Sequence, residues 1–183
     1  LNKKTNLWVE LGLQTADAQS AAFIRRGYPL SVFTQAVYAL AERNIPVVVH
    51  IILGLPGESR ETVLRTIDYL NRLPIQGVKL QLLHVLSDSD LADLYRAGEY
   101  TPLEKEEYLT LVGDCIAHLR ADIVLHRLTG DGDKNTLLAP LWSLRKRDVL
   151  NHLHRYLREN HIRQGMSCKI DLSVIYNKPK DVL

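Results

Sequence analysis

The sequence predicts an α/β fold built on a parallel sheet. Residues 47–53 (VVVHIIL) form a nearly continuous apolar, β-branched run, which is typical of a strand buried on both faces. A tight glycine-rich turn at 54–57 follows, and Ser59 is a good N-cap for the helical apolar period that comes next. Because strand–helix units of this kind recur along the chain with short connections, we expect parallel strands joined by right-handed crossovers, in a sheet or a barrel.

Length, composition and cysteine content exclude several classes of protein. A chain of 183 residues can bury the core of one domain, and a net charge of +2 indicates no strongly basic nucleic-acid binder. No apolar run approaches the roughly 20 residues of a membrane helix, and no secretory signal is recognised, so we expect no membrane partner. The two cysteines, Cys115 and Cys168, indicate no disulfide framework, which favours a reducing, cytoplasmic location.

The first strand is predicted at 7–13, and its two faces differ in polarity. The leucines and Val9 share one face, whereas Glu10, Gly12 and Gln14 share the other. In a barrel, the aliphatic face would lie under the outer helices and the polar face would line the interior. Burying a carboxylate and an amide costs free energy unless the interior is a binding site. The alternative is an edge strand whose polar face is solvated.

The remaining elements follow from the helical period of about 3.6 residues and the strand period of two. Further strands are predicted over 77–85 and 121–128, and helices over 16–26, from Ser31 to about 40, over 60–72, 87–95, 103–119 and 142–162. Asp131 and Asp133 lie in a loop that lacks the ligand series of a Ca²⁺ site, so we interpret this loop as a turn. Residues 166–183 are interpreted as a short strand followed by a loose tail.

Polar side chains interrupt two strands that are expected to be central in the sheet. His50 has the same parity as Gly54, and Lys79 and Gln81 share one face of the strand at 77–85. His50 is interpreted either as a ligand contact or as a hydrogen-bonded core histidine. Lys79 and Gln81 are interpreted as contacts of a substrate or cofactor in the interior, or as residues of an exposed edge.

Three motifs stand in order along the chain: ELGLQ at 10–14, RRG at 25–27 and ILGLPGE at 52–58. Together they resemble the second half of a radical S-adenosylmethionine (SAM) enzyme barrel, with further similarity at 79–86, 127–131 and 137–142. The resemblance is to the YhcC-like radical SAM proteins, relatives of the elongator catalytic subunit, and it spans roughly residues 7–165. Each short motif is common by itself, whereas the ordered set is specific.

The resemblance implies the carboxyl-terminal half of a partial (β/α)6 barrel with a helical C-terminal extension. Residues 1–100 would form the second half of the barrel, with strands in the places of the family's fourth, fifth and sixth. Residues 101–165 would form an α/β extension and 166–183 a tail. The first residue is not Met and leads directly into a strand-like segment, so we expect a fragment of a larger protein whose amino-terminal half completes the barrel.

The resemblance also implies which residues bind SAM across the carboxyl ends of the strands. Gln14 would hydrogen-bond the methionine moiety, and Arg26 would pair with its carboxylate. His50 would lie near the ribose hydroxyls, where some relatives have an acidic residue. The remaining implied contacts are Gly54 and Gly57 beside the ligand, Leu83 and His84 along the adenine, and Glu10 beside the ammonium group or a substrate.

The iron–sulfur motif of the family does not occur in this sequence. Radical SAM enzymes hold a [4Fe-4S] cluster with three cysteines in a C-x-x-x-C-x-x-C loop, and Cys115 and Cys168 cannot supply three thiolates. We therefore predict a parent radical SAM enzyme with an unknown substrate, in which other residues bind the cluster used for reductive SAM cleavage. This chain alone is predicted to be inactive, and neither a catalytic nor a metal-binding residue is assigned in it.

Two other functions stay open. The terminal helix carries a basic stripe that could bind RNA or a partner without any chemistry, since some relatives act on tRNA: Arg145, Lys146, Arg147, Arg155, Arg158 and Arg163. The simpler interpretation of this stripe is a solvated helix face. His152 and His154 on the same helix do not share a face, as paired metal ligands would, so we predict no metal pair there. A third hypothesis is an aldolase-type barrel enzyme that uses Lys79 as a Schiff-base amine.

Overall fold

The computed structural model describes residues 6–130, 132–170 and 175. Its strands are β1 (Val9–Gln14), β2 (Val47–Leu53), β3 (Gly77–Leu82), β4 (Val85–Leu86), β5 (Val124–Arg127) and β6 (Leu137–Ala139). Its helices are α1 (Ala18–Phe23), α2 (Leu30–Ala41), α3 (Arg60–Leu70), α4 (Asp90–Arg96), α5 (Lys105–His118) and α6 (Lys146–Glu159). Asp131 and most of the predicted tail lie outside the described residues, so both interpretations stay predictions.

Four parallel strands form one sheet in the order β1-β2-β3-β5. The central strand β2 pairs with both β1 and β3, so that Gly12 lies opposite His50 and His50 lies opposite Lys79. The edges of this sheet are β1 and β5, and the described residues therefore form an open sheet, not a closed barrel. A separate small sheet pairs β4 with β6 in antiparallel orientation. The predicted α/β class with parallel strands is confirmed.

The two faces of the four-stranded sheet have different surroundings. Alternate apolar side chains of β1, β2 and β3 are buried against the helices: Leu13, Val47, Val49, Ile51, Leu53, Val78, Leu80 and Leu82. Because side chains alternate along a strand, Glu10, His50 and Lys79 lie on the opposite face, which we call the inner face. Trp8 and Val124, 52% and 58% exposed, also lie on the inner face.

The core continues from the sheet into α3, α5 and α6 and includes Ile67, Tyr108 and Leu153, all fully buried. The Tyr108 hydroxyl donates to the carbonyl oxygen of Leu128 at 3.0 Å, which satisfies its polar atom inside the core. Within the described part of the chain, no helix combines the length and apolar character needed to cross a membrane.

Two helices begin or end at positions that differ from the prediction. The first was expected to reach Arg26, but α1 ends at Phe23, because Arg25 and Gly27 have φ values of 54° and 69°, which a right-handed helix does not accommodate. The predicted cap at Ser31 is wrong. The extended backbone of Pro29 (φ −74°, ψ 161°) leads the chain into α2 at Leu30, one residue before Ser31.

Two predicted elements near the end of the sheet also need correction, and one further strand was not predicted. The strand expected at 77–85 ends at Leu82, and Val85 instead pairs with Ala139 of β6. The sequence did not reveal β6, because a strand of three residues is too short to show a period. The terminal helix, expected from Trp142, begins at Lys146, because a 3₁₀ turn occupies Leu141–Leu144.

Replacing Ser59 with alanine should destabilise the protein by about 0.5–1 kcal/mol. The Ser59 hydroxyl accepts a hydrogen bond from the Thr62 N–H at 3.3 Å and so caps the start of α3. Ser31→Ala is the matched control, since Ser31 lies inside α2 and does not occupy its cap position. Urea unfolding of both variants measures the difference, and an equal loss of stability in the two would contradict the capping role of Ser59.

Candidate functional site

The loops that follow β1 and β2 meet at the carboxyl edge of the sheet, where parallel α/β folds bind ligands. We call residues 54–58 the glycine turn. The hydroxyl of Thr15, directly after β1, donates to Oε1 of Glu58 in the glycine turn at 2.5 Å. The same hydroxyl oxygen accepts from the backbone N–H of Asp17 at 3.0 Å and lies 3.4 Å from the hydroxyl oxygen of Thr66. These contacts hold the two loops against each other.

Glu58 and Asp17 lie near each other at this edge, and their pKa values are shifted in opposite directions. Burial raises the pKa of Glu58, and the negative charge of Asp17 adds to that effect, while the hydrogen bond from Thr15 opposes it. Asp17 is the N-cap of α1 and accepts from the Ser20 N–H at 2.9 Å, a backbone hydrogen bond that lowers the pKa of Asp17. Glu58 therefore holds its proton more tightly than Asp17 does.

Arg26 lies at the end of β1, where its guanidinium group binds backbone carbonyl groups. Its Nη1 donates to the carbonyl oxygens of Leu13 and Thr15 at 3.1 and 2.6 Å, and its Nε donates to that of Tyr28 at 3.1 Å. The hydroxyl of Tyr28 in turn donates to the carbonyl oxygen of Gly12. Within the described residues, Nη2 of Arg26 makes no hydrogen bond, so this nitrogen remains available to a ligand.

Gln14 ends β1 in an unusual backbone conformation. Its φ of 61° lies in the left-handed region, which a residue with a side chain rarely adopts and which is often found at functional sites. Its side chain folds back over Gly12. With the amide nitrogen facing the backbone, the amide donates to the carbonyl oxygens of Leu13 and Gly12 at 3.0 and 3.2 Å. Gln14 and Arg26 thus bind the same strand end.

The glycine turn requires glycine for two different reasons. Gly54 has a φ of +90°, and an added Cβ would lie 3.1 Å from Cδ1 of Leu103. Gly57 has a φ of +78° but no atom within 4 Å of such a Cβ, so its backbone conformation alone favours glycine. The carbonyl oxygen of Gly54 accepts from the hydroxyl of Tyr100 at 2.8 Å.

A polar network occupies the inner face of β1, β2 and β3. Oε2 of Glu10 accepts from Nζ of Lys79 at 2.6 Å and lies 2.7 Å from Nε2 of His50. The hydrogen bond from Lys79, supported by one from Trp8, lowers the pKa of Glu10 to about 2. The amide nitrogen of Gln81 lies 3.3 Å from Nδ1 of His50, an arrangement that favours the tautomer with the proton on Nε2.

Leu83 and His84 lie beyond the end of β3, and His84 lies beside Gly130 and Ser143 of the predicted carboxyl-terminal extension. Nε2 of His84 lies 3.1 Å from the hydroxyl oxygen of Ser143, and the imidazole packs against Gly130. Leu83 is partly buried against a small apolar cluster that is separate from the main core and includes Val85. The sequence predicted a strand over 77–85, which would include both Leu83 and His84. The end of β3 at Leu82 explains the difference.

The predicted SAM contacts therefore fall into three groups. Gln14, Arg26, Gly54 and Gly57 lie at the carboxyl edge, Glu10 and His50 lie on the inner face, and Leu83 and His84 lie beside the extension. Glu10 precedes Gln14 by four residues, about 13 Å along a strand. The contacts at the carboxyl edge and those on the inner face are therefore separated along the strand direction.

The cysteines do not fit an iron–sulfur cluster. Cys115 is buried in α5, and burial raises the pKa of its thiol, which makes the thiolate that a metal needs costly to form. Cys168 accepts a weak hydrogen bond from Nδ2 of Asn71 at 3.7 Å. In the described ranges, no three side chains of histidine, cysteine, aspartate or glutamate are placed to hold a metal ion.

Four residues at the edge were not singled out from the sequence. Thr15 and Tyr28 directly follow two of the motifs, and this adjacency is a signal that could have found them. Tyr100 and Leu103 reach the glycine turn from a loop more than 40 residues later in the chain, and no pattern in the sequence marks them.

The described residues thus form an open parallel α/β sheet whose loops after β1 and β2 meet at the carboxyl edge, where folds of this class bind ligands. Residues 1–70 match the family model of the radical SAM superfamily, and residues 75–159 match that of the radical SAM C-terminal domain. The chain belongs to the radical SAM superfamily, and the resemblance inferred from its motifs is confirmed.

Two relatives and one solved structure show how far the similarity extends. The chain is 35% identical over 165 residues to YtqA of Bacillus subtilis and 33% identical over 156 residues to YhcC of Escherichia coli K12. These alignments cover 90% and 85% of the chain but 51% and 50% of the relatives, so the chain spans about half their length. Methanocaldococcus infernus Elp3 with an N-terminal deletion has the same fold over 86% of this chain and 37% of its own, with a TM-score of 0.74 at 18% identity.

Replacing Glu58 with glutamine should remove a pH dependence of stability. Because the pKa of Glu58 is raised in the folded state above its ordinary 4.5, its contribution to stability is complete below pH 4.5 and is lost as the pH rises through the folded pKa. Glutamine keeps an oxygen that accepts from Thr15 and cannot ionise. We expect Glu58→Gln to be at least as stable as the parent chain at pH 7 and to lose this advantage near pH 4.

Urea unfolding between pH 4 and 8 measures the effect, and Glu99→Gln, at an exposed position, is the control. A Glu58→Gln variant that is less stable than the parent chain at pH 7 would show that the ionised carboxylate is the stabilising form.

Proposed function

We propose that this chain forms the SAM-binding side of a radical SAM active site whose iron–sulfur cluster is bound by residues outside the chain. The observation that carries the proposal is the meeting of the loop after β1 with the glycine turn at one edge of the sheet, joined by the Thr15–Glu58 hydrogen bond.

The edge residues fit the chemistry of SAM, which combines a carboxylate with a nucleoside. The free Nη2 of Arg26 suits a carboxylate, since its other donors hold the guanidinium in place. Gly54 and Gly57 leave the backbone of the glycine turn open to close approach. Reductively cleaved SAM supplies the radical chemistry of this superfamily, while the residues of this chain would bind and orient it.

Exposed apolar residues on the inner face also support the proposal. Parallel sheets are normally covered on both faces, yet Trp8 and Val124 are more than half exposed here. We propose that the amino-terminal half of the barrel covers this face in a longer cytoplasmic enzyme and encloses Glu10, His50 and Lys79 with a polar substrate. The ion pair of Lys79 with Glu10 disfavours the Schiff-base alternative, which needs an amine free to deprotonate.

Replacing Arg26 with alanine should weaken SAM binding about tenfold or more, because a charge-assisted hydrogen bond to the ligand is lost. Arg25→Ala is the matched control, since the neighbouring Arg25 is exposed and pairs with Asp90 instead. Isothermal titration calorimetry with SAM on the three chains measures the affinities, and thermal melting of each checks folding. Equal SAM affinity for the parent chain and Arg26→Ala would reject the assigned contact.

A second candidate function is RNA binding through α6. Val149 and Leu153 bury one side of this helix, while Arg147, Arg155 and Arg158 lie exposed on another side at helical spacing. The acidic Asp148 binds Nζ of Lys105 at 2.9 Å, so its charge is directed toward α5 rather than toward these arginines. The exposed positive face could contact a phosphate backbone.

Reversing the charges of Arg155 and Arg158 to glutamate should abolish a salt-dependent affinity for tRNA, because each arginine that neutralises a phosphate releases a counterion. The control carries glutamate at the exposed Arg43 and Arg72, with the same change in net charge. Filter binding across a series of salt concentrations measures both. Equal loss in the two double variants would indicate a non-specific charge effect and would contradict a site on α6.

A further inference from the structure

The loop between α4 and α5 packs directly on the glycine turn. Tyr100, in this loop, donates its hydroxyl hydrogen to the carbonyl oxygen of Gly54 at 2.8 Å. Its side chain is 8% exposed, and burial raises the pKa of Tyr100 to about 12, so the hydroxyl remains a protonated donor at neutral pH. The contact joins the region matched by the C-terminal family model to the region matched by the superfamily model.

Leu103 fills the space next to the same glycine. A Cβ at Gly54 would lie 3.1 Å from Cδ1 and 3.2 Å from Cγ of Leu103, so the leucine would have to shift by a few tenths of an ångström to admit any other residue at 54. The carbonyl oxygen of Leu103 accepts from Nε1 of Trp142 at 3.2 Å, and the ring of Trp142 lies 5.6 Å from that of Tyr108, centroid to centroid. Leu103 is therefore anchored in the extension.

The glycine turn is thus held at both ends by side chains from elsewhere in the chain. Tyr100 binds its first residue, Gly54, and Thr15 binds its last, Glu58. Between them, Leu55 is 3% exposed, and Gly57 has no neighbour within 4 Å of the position that a Cβ would take. The turn is therefore open only at Gly57, while Leu55 is buried and both ends are held by hydrogen bonds.

We propose that Tyr100 is a positioning residue for SAM: its hydroxyl holds the Gly54 carbonyl so that the glycine turn keeps the conformation in which it receives the ligand. The SAM part of this inference rests on the proposed function. It makes the region matched by the C-terminal family model, residues 75–159, a working part of the ligand site, since the glycine turn depends on a side chain from the loop that enters α5.

The test is Tyr100→Phe, which removes the hydroxyl and keeps the ring. Tyr95→Phe is the matched control, because Tyr95 is a partly exposed tyrosine on the neighbouring α4. Hydrogen–deuterium exchange of the peptide 53–59, measured without ligand, reports the turn itself. Calorimetry with SAM, and the KM for SAM against kcat in the full-length enzyme, report the consequence.

We expect faster exchange confined to 53–59 in Tyr100→Phe, a SAM affinity about three- to tenfold lower and a raised KM with unchanged kcat, while Tyr95→Phe behaves as the parent chain. Unchanged exchange, or a loss spread over the whole chain with a lowered melting temperature, would overturn the positioning role. A third outcome is faster exchange confined to 53–59 in Tyr100→Phe while neither the parent chain nor any variant binds SAM. This outcome would support the contact between Tyr100 and the glycine turn and would refute the proposed function instead.

Discussion

The pairing of β2 between β1 and β3 is the constraint on which the rest of the structure depends. Its register sets His50 beside Gly12 and Lys79, and the alternation of side chains then decides what each face receives. The apolar set collects under the helices, and Glu10 gains Lys79 and His50 as partners on the other face. A slip of one residue would bury the ionic groups and expose the core, so the core and the polar network stabilise the same register.

The carboxyl edge is ordered by side chains that bind backbone carbonyl groups left open where strands end. Arg26 and Gln14 bind those of β1, and Tyr100 binds that of Gly54. The Thr15–Glu58 hydrogen bond then joins the two loops. The backbone conformation of this candidate site is therefore held by contacts within the chain.

Several features of the site could be predicted because local patterns encode them. The buried run of β2, the cap at Ser59 and the glycine turn each depend on residues within a few positions of one another. His50 shows the limit of such reasoning. Ligand contact and hydrogen-bonded histidine were both open, and the structure places His50 between Glu10 and Gln81 on the inner face, which is compatible with either interpretation.

The sequence by itself determined the parallel α/β class, the radical SAM resemblance and the shortage of thiolates for a cluster, because periodicity, motif order and a count of cysteines are all readable along the chain. Only the tertiary structure decided that the sheet is open, that β3 ends at Leu82 and that Tyr100 clamps the glycine turn. The contacts that organise the site join residues 43, 46 and 69 positions apart, and no periodicity relates residues so distant until the strands are paired.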